Sequence, residues 1–172
     1  MRYLIYAVVV NISLGAIACL AAADEAAVVP PRGAVRFLEV VADGVQIYVC
    51  DAKESGFEWV FKAPDARLFD KQGRQVGTHF AGPTWKMEDG STVVGEVIAS
   101  AVAPEPDAIP WLLLRTKSRE GSGTLSGAAY IRRADTKGGS KPSIGCDAAH
   151  HSEQTRVPYS ATYQFFNAAK SE

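Results

Sequence analysis

Apolar and polar positions alternate along most of the chain with the period of two that marks strands. The clearest run lies near the C-terminus, where Tyr159, Ala161, Tyr163 and Phe165 are interleaved with Ser160, Thr162 and Gln164. Phe57, Trp59 and Phe61 alternate with Glu58, Val60 and Lys62, and Val45, Ile47 and Val49 alternate with Gln46, Tyr48 and Cys50. Both faces of that last strand carry buriable groups, which suits the centre of a sandwich or barrel. Asp43-Gly44 ahead of it is a turn signal and predicts a hairpin between residues 34–41 and 45–50. Further strands are expected over 75–80, 84–87, 92–102, 111–116 and 124–132, with Pro104-Glu105-Pro106 as a loop. Pro64-Asp65 has the residues of a short helical turn.

After the first 23 residues no window of eleven or more has a 3.6-residue period, so helices should be few and short. Many short strands joined by Gly- and Pro-rich turns predict an all-β, mainly antiparallel fold, a β-sandwich or partly open barrel. A single β domain is expected over 34–168, with a C-terminal tail at 169–172 and a long polar connection over 135–152.

The first 23 residues differ from the rest: Arg2, an apolar run from Leu4 to Leu20, and Ala21-Ala22-Ala23 before Asp24. This order of positive, apolar and small residues predicts a secretory signal peptide cut after Ala23, and hence a periplasmic or extracellular protein with no integral membrane segment after processing. A lipoprotein attached through Cys19 and an uncut anchor are the alternatives. Residues 24–33, with Pro30-Pro31, read as an extended leader.

Removal of residues 1–23 takes only Arg2 from the 18 Lys+Arg, leaving 17 basic against 19 acidic residues in 149. A net charge of −2 gives no reason to expect nucleic acid or anionic lipid as partner. Cys50 and Cys146 then remain as an even pair, for which one disulfide is the default in an exported chain. Two free thiols or two metal ligands are the alternatives, and the chain has no C-x-x-C knuckle to favour zinc.

No nucleophile elbow, H-E-x-x-H, P-loop or EF-hand loop occurs. Gly121-Ser122-Gly123 with Gly127 opens no expected helix and reads as a hairpin turn. The densest chemistry is Gly77-Thr78-His79-Phe80-Ala81-Gly82-Pro83-Thr84-Trp85 followed by Glu88-Asp89-Gly90. His79, Trp85, Glu88 and Asp89 could form a ligand cleft, a metal site or an acid–base pair. Equally, His79 could bond backbone beside the Gly-Pro turn, with Trp85 in the core and Asp89-Gly90-Ser91 as a hairpin turn. Arg132-Arg133 sends guanidinium groups to opposite faces of a strand, and Arg132 is taken as the candidate for a cleft. His150-His151 falls in the polar connection and reads as solvated.

The segments 44–50, 77–85 with Asp89-Gly90-Ser91, Ile109-Pro110-Trp111-Leu112-Leu113-Leu114, and Tyr130-Ile131-Arg132-Arg133 with Thr136-Lys137-Gly138-Gly139 resemble domain-of-unknown-function family 3455. The resemblance implies an exported protein of bacterial or fungal type with no established activity. By position it carries over Cys50, His79, Gly82, Pro83, Trp85, Asp89, Trp111 and Cys146 without roles. Taken together, the sequence predicts a binding or interaction module for an unknown small molecule or envelope partner, with no cofactor and no resident metal. A hydrolytic or metal-dependent enzyme centred on His79 with Glu88 or Asp89, and a structural envelope protein, are the other two readings. Oligomeric state is not legible.

Overall fold

The computed structural model describes residues 25–169, so the expected signal peptide and Cys19 lie outside the described residues. Eight strands follow in order: β1 (Val35–Lys53), β2 (Gly56–Phe69), β3 (Gln75–Phe80), β4 (Thr84–Met87), β5 (Thr92–Ala101), β6 (Trp111–Glu120), β7 (Tyr130–Gly138) and β8 (Gln154–Asn167). A 3-10 turn at Ala148–His150 precedes the last strand. Each strand pairs antiparallel with its successor, and β8 returns to β1, so the sheet closes into a barrel. An eight-strand barrel has an interior wide enough for side chains or for one small ligand.

The expected hairpin at Asp43-Gly44 is absent; β1 runs straight through it. Gly44 is there for proximity, because a Cβ on it would come within 2.2 Å of the Asp65 carbonyl oxygen on β2. The expected helical turn at Pro64-Asp65 is likewise replaced by strand. Ile47 pairs with Ala63 but Tyr48 with Phe61, which leaves Lys62 as an extra residue on β2. This bulge reverses the parity of the strand. Trp59 is buried on one side of it, whereas Pro64, Ala66 and Leu68 are buried on the other. The strand expected from residue 124 begins only at Tyr130, because 121–129 form the β6–β7 connection.

The two ends of the barrel differ. At one end Leu68, Phe165, Ile131 and Leu125 fill the interior, each fully buried. The connections after β4 and β6 close this end through Asp89, whose carboxylate accepts from Ser91 N (2.9 Å) and Oγ (2.6 Å) and from Thr124 N (2.7 Å) and Oγ1 (2.6 Å). At the other end the β7–β8 connection folds against β1 and β2. Cys146 is disulfide-bonded to Cys50, Trp59 Nε1 donates to Ile144 O at 2.9 Å, and Tyr48 OH donates to Gly139 O at 2.6 Å. On the outer wall Val28, in the N-terminal leader, is buried with Leu113 and Ala101, and Glu25 pairs with Arg132.

The disulfide ties residues 96 apart and therefore restricts the unfolded chain strongly. Peptide mapping without reductant should recover Cys50 and Cys146 in one cross-linked fragment. Cys50→Ser should lower the unfolding free energy by roughly 4 to 5 kcal/mol in urea titrations, the chain-entropy value for a loop of this length.

Candidate functional site

The β3–β4 hairpin is shorter than its neighbours, and this shapes the open end. β2 pairs with β3 only over Ala66–Phe69, and β4 pairs with β5 only over Thr84–Lys86 against Thr92–Val94. Beyond the Ala81-Gly82-Pro83 turn the first half of β2 and the second half of β5 therefore stand apart. Between them the interior opens as a cavity of about 370 Å³. Its rim includes Phe61 and Val97, each about half exposed, and its floor is made by Trp85, Leu112 and Leu114. Gly95 lets the Trp85 indole lie across β5, since a Cβ there would sit 3.0 Å from the ring.

Antiparallel register sets the polar groups among these apolar walls. Arg133 on β7 is paired with Leu112 on β6 and with Tyr163 on β8, so the three form one row across the inner wall. On the facing wall His79 is paired with Trp85 and Ala66. From β1 come Gln46 and Tyr48, which face inward while Val45, Ile47 and Val49 on the alternate face are only half-buried.

His79 is 2% exposed and stacks on Trp85, with ring centroids 4.4 Å apart and planes at 14°. Tyr163 packs at its side at 4.9 Å. Nδ1 lies 2.8 Å from Thr84 O. A carbonyl only accepts, so Nδ1 carries the proton and Nε2 keeps its lone pair. Burial pushes the His79 pKa down to about 3; the Thr84 carbonyl opposes the shift, and the Arg133 charge adds to it. The ring is a neutral wall of the cavity at any ordinary pH.

Arg133 donates Nε to Pro110 O at 3.0 Å, which fixes the Ile109-Pro110 segment over the site. It forms no ion pair among the described residues. Its charge acts on Tyr48, Tyr159 and Tyr163, whose phenols are raised chiefly by burial and drawn back by the guanidinium. Gln46 Nε2, Trp85 Nε1 and Tyr163 OH are buried polar atoms without a hydrogen-bond partner, as are Trp111 Nε1, Arg132 Nε and Tyr159 OH away from the cavity. Leaving such groups unmade is costly; the first three belong to residues that line the cavity, but the atoms themselves are turned into the protein.

The residues singled out from sequence divide among the two ends and the outer wall of the barrel. His79 and Trp85 line the cavity. Glu88 is exposed, with its backbone N–H on Val76 O at the far end of β3, and Asp89 closes the opposite end of the barrel. The structure therefore does not bring either carboxylate to His79, and no cluster of three metal-ligating side chains occurs among the described residues. Arg132 points to the outer wall, against Glu25 and over the Trp111 ring, while its neighbour Arg133 lines the cavity. Gln46, Tyr48, Arg133 and Tyr163 were missed. The inward parity of β8 marks Tyr163, and the parity of Ile131 on β7 marks Arg133. His150 pairs with Asp147 at 2.7 Å on the exposed connection.

A family model described as "Protein of unknown function (DUF3455)" matches residues 30–167, which span all eight strands and the whole cavity. The chain belongs to this family. No curated protein and no solved structure matches it. The DUF3455 description names no ligand or reaction, and the cavity is the feature of the chain that bears on function.

Two measurements test this geometry. The unfolded chain takes up a proton near pH 6.5 that folded His79 refuses until about pH 3. Its contribution is fully present above that window and falls as the pH drops through it. Between pH 7 and pH 4.5 the wild type should lose about 2 to 3 kcal/mol more than His79→Gln in urea titrations, whereas at pH 7 that variant should be the less stable by about 1 to 2 kcal/mol. Equal pH slopes would refute the buried neutral ring. Asp89→Asn should lower the urea midpoint but leave the near-ultraviolet signal of the Trp85 environment unchanged, because it acts at the closed end.

Proposed function

We propose that the protein is an exported binding module whose barrel mouth takes up one small, largely apolar molecule. The observation that carries this reading is the cavity itself: about 370 Å³, walled by aromatic and aliphatic side chains, with Arg133 and Lys62 among its few charged or polar lining residues. That combination is the usual make-up of a small-molecule site. The disulfide fits an oxidising compartment. The distribution of polarity also fits a barrel that works in water, since the interior holds Trp85, Phe165 and Leu68 and the outer wall carries pairs such as Arg115–Glu96 and Arg156–Asp65. A membrane-spanning barrel has the reverse arrangement.

The reading is tested with a neutral reporter, N-phenylnaphthylamine, whose fluorescence rises in apolar surroundings. The mature protein should bind it at one site per chain. Leu112→Trp, which fills the floor, should weaken binding by about tenfold or more while the far-ultraviolet spectrum stays that of a β protein. Undiminished binding in the filled variant, or none in the wild type, would overturn the proposal.

A further inference from the structure

The polar lining of the cavity is one-sided, and this bears on what the proposed site would hold. Two cations, Lys62 and Arg133, line it, and among the described residues neither Asp nor Glu does. An arginine at the inner wall ordinarily finds an acid, and among the described residues Arg133 has none. An anion beside the apolar walls would give the Arg133 guanidinium the partner it lacks.

We infer that the ligand is a small organic acid, in which an apolar body lies against Trp85, Leu112 and Leu114 and a carboxylate is held by the Arg133 guanidinium. The inference rests on the binding-module reading and names its ligand class. Arg133 is suited to the task because its Nε is already held by Pro110 O, which leaves the terminal nitrogens as a pre-set fork for two carboxylate oxygens. Tyr163, next to Arg133 across the β7–β8 ladder, adds an aromatic wall beside the same group. Lys62 is the residue inserted by the β2 bulge and stands at the rim, where it would draw an anion toward the mouth without binding it tightly. His79, neutral and with its Nδ1 proton committed, serves as a flat wall and does not compete for the carboxylate.

The test uses matched acid and amide pairs displacing N-phenylnaphthylamine: naphthoate against naphthamide, and decanoate against decanamide. At pH 7.5 at least one acid should bind about tenfold or more tightly than its amide, the gain of one charge-assisted pair; which acid does so tells an aromatic from an alkyl body. Arg133→Gln should erase that preference while the reporter still binds, and Arg133→Lys should restore part of it. If Arg133→Gln unfolds, the Lys variant and the salt dependence of the wild-type preference decide the matter instead. A reporter that binds with no acid preference in either pair overturns this inference and leaves the binding module standing. A reporter that does not bind overturns both.

Discussion

Pairing of β1 with β8, from Val35–Asn167 to Val49–Gln154, turns a meander of hairpins into a closed barrel. Once that seam is made, every second side chain on eight strands is confined to one interior, and its volume has to be filled or left as space. At the end nearest Leu125 it is filled. At the end nearest the β3–β4 turn the hairpin is too short to continue the wall, and the space remains. The cavity is thus a consequence of unequal strand lengths around a closed ring rather than of any single residue.

The same closure explains why the disulfide sits where it does. Cys50 lies on β1 in the half that extends past the short hairpin, and Cys146 lies in the connection that leads into β8. The bond holds the β7–β8 connection against β1, with Trp59 and Tyr48 adding hydrogen bonds to its backbone. The cavity opens through the side gap between β2 and β5, whose rim carries Phe61 and Val97.

Much of the fold was legible because strand period is a local property. β3 and β4 begin and end where alternation places them, β8 buries Tyr159, Ala161, Tyr163 and Phe165, and the all-β class follows. What was misread depends on neighbours. Asp43-Gly44 carries the residues of a turn, yet Gly44 is needed for a close approach by β2 that no local pattern announces. Pro64-Asp65 looks like a helix start, and only the pairing with β1 makes it strand. The site was half legible for the same reason. His79 and Trp85 are six residues apart and meet across one hairpin, whereas Arg133 and Gln46 join them only through the closing of the ring. Glu88 and Asp89 were drawn in by nearness in sequence, but a hairpin carries the chain to the opposite end of the barrel within four residues.

The unpaired flank of β2 beside the gap has a consequence of another kind. A stretch of strand with free backbone groups is a template on which a second copy of the chain could build. Here that stretch carries Lys62 on a bulge and then Pro64, which has no N–H to offer and is tolerated in a sheet mainly at an edge. A charged, kinked strand with a missing donor is a poor surface for intermolecular β-pairing. The irregularity that looks like a defect in β2 thereby protects the molecule from polymerising through its own doorway.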